Sequence, residues 1–200
     1  MDAGKVISEQ LQDSSQTIGK IETTCGEDIK KAAELIIQSY KNGGKLLLCG
    51  NGGSASQAQH IAAEMINKFR FDREPLPAMA LTTDTSNLTS IGNDSGFAYV
   101  FVKQIKALGK KGDVLIIITT SDVSFSEDNP HSLNLGLALK TAKKLGLKTI
   151  GMVSEKTKEA LPYLSIAIKI PSKDTPRIQE GQITALHIIC DLVEQEMFPK

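Results

Sequence analysis

Apolar residues along the chain follow two alternating patterns. Four short runs have no polar face: KLLLCG (45–50), PAMALTT (77–83), DVLIIITT (113–120) and KTIGMVS (148–154). Runs of this length and composition read as strands buried on both faces, as in a parallel sheet. SIAIKIP (165–171) alternates more and reads as a fifth strand. Between the runs the apolar spacing changes to three and four. Ile29, Leu35, Ile36 and Tyr40 predict a helix over 27–42, stopped by NGG. Ala58, Ile61, Ala62, Met65 and Phe69 predict another over 54–69, and 97–108, 132–146 and 177–197 carry similar patterns. Strands alternating with helices predict an α/β fold, a three-layer sandwich. A further helix, about residues 3–20, precedes the first strand and carries a narrow stripe of Ile7, Leu11, Ile18 and Ile21. It has no crossover to make, so it is expected to pack on a partner subunit.

The chain's 200 residues suffice for one domain with a full core. Lys plus Arg equals Asp plus Glu at 23 each, which argues against wholesale nucleic-acid or membrane-surface binding. Cys25, Cys49 and Cys190 are far apart and show no CxxC spacing, so neither a zinc ribbon nor a redox dithiol is expected. No apolar run approaches ~18 residues, so no signal peptide or membrane span is expected. A reducing, cytoplasmic setting fits these features.

Two turns could hold an anion. Gly50-Asn51-Gly52-Gly53-Ser54-Ala55 follows a strand and opens a helix, where free N–H groups and the helix dipole favour negative charge. The turn also matches the dinucleotide pattern GxGxxG/A, but Asp84 comes late for the acidic residue that pattern needs. The third strand ends in TTSDVS, where Thr119, Thr120, Ser121 and Ser124 place hydroxyls on the same rim. Together the two turns suggest a small phosphorylated ligand. His60 and Glu64 lie four apart on one helix face, a spacing that suits a shared metal, an acid–base pair or a plain surface pair. Gln179 and His187 lie eight apart on the last helix, about 12 Å along its axis, so convergence on one ion is tight. His131 stands in the polar SEDNPHS loop and has no evident role.

These residues together resemble the phosphoheptose isomerases, a family of single sugar isomerase (SIS) domains. The likeness rests on CGNGGSASQAQHIAAEM, ALTTDTSNLTSIGNDSGF, KALGKKGDVLI and TPRIQEGQITALHIICDLVEQEMF. It implies one SIS domain over 1–200, with residues 1–22 as an N-terminal helix, and a five-stranded parallel, flavodoxin-like sheet. It also implies a homotetramer with sites at subunit interfaces. The implied reaction turns sedoheptulose 7-phosphate into D-glycero-D-manno-heptose 7-phosphate through an enediol, for the heptose of lipopolysaccharide or related glycans. One zinc per subunit would be held by His60, Glu64, Gln179 and His187, with Glu64 as base and His187 as acid. Substrate contacts would be Asn51, Gly52, Gly53, Ser54, Asn93, Asp94, Thr119, Thr120, Ser121, Ser124 and Gln179.

The chain departs from the family after the third strand. The usual STSGNS becomes TTSDVS, with Asp122 and Val123 for Gly and Asn, and about seven extra residues precede the next helix. An aspartate beside a phosphate is repulsive unless it points away. Gln182 stands where a His is common, and Lys68 where an Arg is often seen. Two other readings remain open here. One is a non-catalytic SIS binding protein resembling the DnaA-associating DiaA family. The other is an isomerase of another sugar phosphate.

Overall fold

The computed structural model describes residues 1–200. Two helices come first, α1 (Ala3–Gly19) and α2 (Ile21–Lys41). Then follow β1 (Leu46–Gly50), α3 (Gly53–Ile66), β2 (Ala78–Ala80), α4 (Thr85–Ser95), α5 (Val100–Leu108) and β3 (Val114–Ile118). The chain ends with α6 (Leu133–Leu145), β4 (Lys148–Ser154), β5 (Ile166–Ile170) and α7 (Thr175–Met197). All strand pairs are parallel, in the order β2-β1-β3-β4-β5. This is the expected five-stranded sheet with flavodoxin-like order. From β1 the chain moves one way to β2 and the other way to β3, so the crevice beyond β1 and β3 is the switch point where such sheets bind ligands.

Side-chain alternation along the strands divides the core in two. Leu46, Leu48, Ile116 and Ile150 face α2, α3 and α7. Leu47, Cys49, Leu115 and Ile117 face α5 and α6. The outcome is the predicted three-layer sandwich.

Three elements differ from the sequence expectation. First, α2 begins at Ile21 rather than 27, because Ile21 and Cys25 bury fully and outweigh the ~1 kcal/mol helix cost of Gly26. Second, β2 has only three residues, since Thr83 bonds back to Ala80 O and turns the chain. Third, α4 carries only Leu88 and Ile91 as an apolar stripe, partly buried against the α5 and α6 side of the core, and none of its residues is fully buried. Asp84 caps α4, accepting from the Asn87 N–H, so it is engaged in the turn and does not fit the dinucleotide role. The predicted stripe of α1 faces outward: Ile7 is 60% and Leu11 66% exposed.

A buried ion pair joins α3 to α7. Glu194 on α7 accepts from the Phe69 and Arg70 N–H groups (2.8 and 2.7 Å) and from Arg73 Nε (3.1 Å). Arg73 also donates to the carbonyls of Glu64 and Met65 at the end of α3 (2.9 and 2.7 Å). Both side chains are almost fully buried. Burial pushes the Glu194 carboxyl up, but the two N–H donors and the guanidinium outweigh it and hold it below its ordinary value.

Breaking such a buried pair costs about 3–5 kcal/mol, so Glu194→Ala should lose roughly that much in urea unfolding at pH 7. Because the folded pKa is depressed, the stabilisation is complete above the ordinary value of 4.5 and is lost as pH falls through the lower folded value. The gap between wild type and variant should therefore shrink when unfolding is measured at acid pH.

Candidate functional site

Glycine shapes the turn after β1. Gly52 sits at φ 54°, a region that favours glycine, and a Cβ on Gly50 would meet Ser54 O at 2.7 Å. The N–H groups of Gly52 and Gly53 donate to no carbonyl of the chain and open toward the crevice end of α3. Ser54 is buried. The Asn51 amide exchanges two hydrogen bonds with that of Asn134 on the first turn of α6 (3.0 and 2.7 Å). The glycine turn is therefore fastened to the start of the next helix across the crevice.

The hydroxyls after β3 do not all face this crevice. Thr119 is buried, its Oγ1 closing a turn with Ser121 N–H and O. Thr120 Oγ1 makes no hydrogen bond within the chain, and Ser121 Oγ lies 2.9 Å from His131 Nε2. Ser124 is buried with its hydroxyl engaged by Ser126, so the hydroxyl expected to meet substrate turns inward. Ser132 instead holds the N-cap position of α6. Asp122 points away from the crevice. Its carboxylate accepts from the N–H groups of Lys158 and Glu159 (2.7 and 2.9 Å) and, more weakly, Ala160 (3.4 Å). The substitution that threatened an anion thus bolts the loop after β3 to the loop after β4.

His60, Glu64 and His187 converge. One ligand atom from each lies within 4.8 Å of the others. His60 Nε2 is 2.9 Å from Glu64 Oε1 and 3.4 Å from His187 Nε2. A tetrahedral cation with nitrogen bonds of about 2.0–2.1 Å needs those nitrogens about 3.3–3.4 Å apart, so the pair of imidazoles fits one. Burial, and then the neighbouring His60, lower the His187 pKa against a smaller raising effect of Glu64. The neutral imidazole this favours is the form that ligates metal. Phe69 stacks on the His187 ring, with centroids 5.5 Å apart.

Two other expected groups make contacts elsewhere. Gln179 Nε2 lies 2.5 Å from the point where a Cβ of Gly53 would stand. Gly53 precedes His60 by seven residues, about 10 Å along α3. Asn93 and Asp94 are exposed near the end of α4 and bond to each other. Ser132 and Asn134 were not among the residues expected here, His131 had no evident role, and Gln182 was expected only as a departure from a common His. Gln182 is fully buried and donates to Thr119 O and Met152 O (2.7 and 2.8 Å), tying α7 to the ends of β3 and β4. The polar Ser132 and Asn134 bracketing the start of an apolar helix were the available signal.

Residues 10–154 match the SIS domain family. A phosphoheptose isomerase of Clostridium acetobutylicum is 51% identical over 172 residues, covering 86% of this chain and 84% of its own. The structure of phosphoheptose isomerase from Neisseria gonorrhoeae superposes with TM-score 0.86 at 38% identity, covering 96% of this chain and 98% of that one. That of Francisella tularensis gives 0.89 at 33% identity, covering 98% and 100%.

Asp122→Ala should release the loop after β4. Hydrogen bonds to a charged acceptor contribute about 1.5–3 kcal/mol, so amide exchange in a peptide spanning 156–160 should quicken about tenfold or more. Exchange in β1 should not change.

Proposed function

The chain belongs to the SIS-domain family and within it to the phosphoheptose isomerases, and from that premise we propose how its residues carry out the isomerisation. The substrate pair is sedoheptulose 7-phosphate and D-glycero-D-manno-heptose 7-phosphate. The observation that carries the reading is the meeting of His60, Glu64 and His187 two turns along α3 from a glycine turn with free N–H groups. The phosphate binds at the glycine turn, Thr120, Ser121 and the start of α6. The reacting carbons then lie about 10 Å along α3, a distance suited to an extended seven-carbon chain with phosphate at one end.

Isomerisation moves a proton between adjacent carbons and another between their oxygens, through an enediol. Glu64 takes the carbon-bound proton and returns it to the neighbouring carbon. One of its oxygens faces His60, while Oε2 makes no hydrogen bond within the chain and is the oxygen assigned as base. His187 moves the proton between the substrate oxygens. Zinc, one per subunit, is assigned to His60, Glu64 and His187, with Gln179 as the family's fourth group; when bound it supplies polarisation of the carbonyl. We assign the homotetramer as well. Support comes from the outward Ile7 and Leu11 of α1 and from exposed Ile188 and Leu192 on α7 near His187. A neighbouring subunit would also give Asn93 and Asp94 a site to serve. The product feeds heptose synthesis for lipopolysaccharide-type glycans in the cytoplasm. No helix is long and apolar enough to cross a membrane.

Incubation with sedoheptulose 7-phosphate, with and without zinc, should yield the aldose. No turnover under either condition would refute the assignment. Glu64→Gln should lower kcat about 10³-fold, and a variant of unchanged kcat would remove Glu64 as base. His187→Ala should lose bound zinc in metal analysis of the purified protein.

A further inference from the structure

Two of the three histidines meet at Glu64. The third, His131, lies in the segment that departs from the family pattern, and its Nε2 is 2.9 Å from Ser121 Oγ. Its placement is constrained on both sides. Pro130 precedes it, and its own N–H donates to Asn129 Oδ1 (3.4 Å). Ser132, directly after it, is the one non-glycine residue with positive φ, at 53°. Such a conformation costs on the order of 1 kcal/mol and persists where the surroundings hold it. Here it turns the chain from His131 straight into α6, whose first turn is locked to the glycine turn through Asn134 and Asn51.

The direction of the His131–Ser121 bond has a chemical consequence. A phosphate dianion offers only acceptors, so a serine hydroxyl that binds it must give up its single proton to it. Ser121 can do so only if its oxygen accepts from His131, with Nε2 protonated. The reverse arrangement, with Ser121 donating to the ring, would turn only lone pairs toward the anion. Thr119 and Ser124 cannot substitute, because Thr119 is engaged by the Ser121 backbone and Ser124 by Ser126, which leaves Ser121 to act beside the unengaged hydroxyl of Thr120.

We propose that His131 is a positioning residue for the substrate phosphate, donating from Nε2 to Ser121 Oγ and so aiming the Ser121 hydroxyl proton at the anion. The proposal rests on the phosphate site assigned above. It also explains how a loop lacking the family's glycine and asparagine still presents a donor.

The test compares His131→Ala with His131→Gln, whose amide N–H can replace the imidazole donor. Three quantities are read: KM and kcat for sedoheptulose 7-phosphate, and Kd for inorganic phosphate by calorimetry. His131→Ala should raise KM and the phosphate Kd about 5–10-fold, the loss of one hydrogen bond. Its kcat should stay within about twofold of wild type, with zinc content unchanged. His131→Gln should recover most of the affinity. An alanine variant with wild-type KM and Kd overturns the proposal, as does a glutamine variant as weak as alanine. If the wild-type protein fails to turn over the sugar phosphate, the isomerase reading falls. The phosphate Kd values still decide the role of His131 in that case.

Discussion

The site depends on holding α3 and α7 in register, and the buried Arg73–Glu194 pair does this. His60 and Glu64 come from one helix, and His187 comes from another more than a hundred residues later. A slip of one residue on either helix would rotate these side chains by about 100° and separate them. Arg73 grips the last carbonyls of α3 while Glu194 grips the N–H groups just beyond it. The two ends are thus fixed to each other, and Phe69, held by the same carboxylate, lies against the His187 ring. A buried ion pair is an expensive way to gain stability, since desolvation offsets most of the attraction. Its geometric demand is what an apolar contact could not supply: it is satisfied in one alignment and broken in the neighbouring ones.

The anion end is organised differently, by neutral groups and backbone. The loop after β3 is held from three sides. Gln182 takes Thr119 O, Ser154 takes Thr120 O, and Asp122 takes the amides of the loop after β4. The only carboxylate bonded into this arrangement faces away from the crevice. A phosphate bound as proposed would meet N–H groups of the glycine turn, the start of α6 and hydroxyls, donors that the fold already orients.

Much of the architecture was legible because burial on both faces leaves an uninterrupted apolar run. β1, β3 and β4 were found that way. α4 was not, because Leu88 and Ile91 are its only apolar residues and two positions are too few to set a period. In the site, the glycine turn and the His60–Glu64 pair were legible because their geometry is local. The role of the hydroxyls was not. Which of Ser121, Ser124 and Ser132 faces the crevice depends on how the extra residues between Asp122 and Ser132 fold back, and spacing alone does not contain that. The aspartate that looked damaging is harmless for the same reason, since its partners lie on a loop more than thirty residues away.

Gln179 brings the two ends of the site together. α3 and α7 run side by side, Gly53 beside Gln179 and His60 near His187, so the offsets of seven and eight residues correspond. A Cβ at Gly53 would press on the Gln179 amide and move it from its present place. Beside Gly53 the Gln179 amide stands at the first turn of α3, about 10 Å along the axis from the His60 backbone. The donors that converge within one chain are two imidazoles and a carboxylate. If a metal binds there, Gln179 would have to reach along α3 to join these three donors, and the space beside them would otherwise be open to substrate.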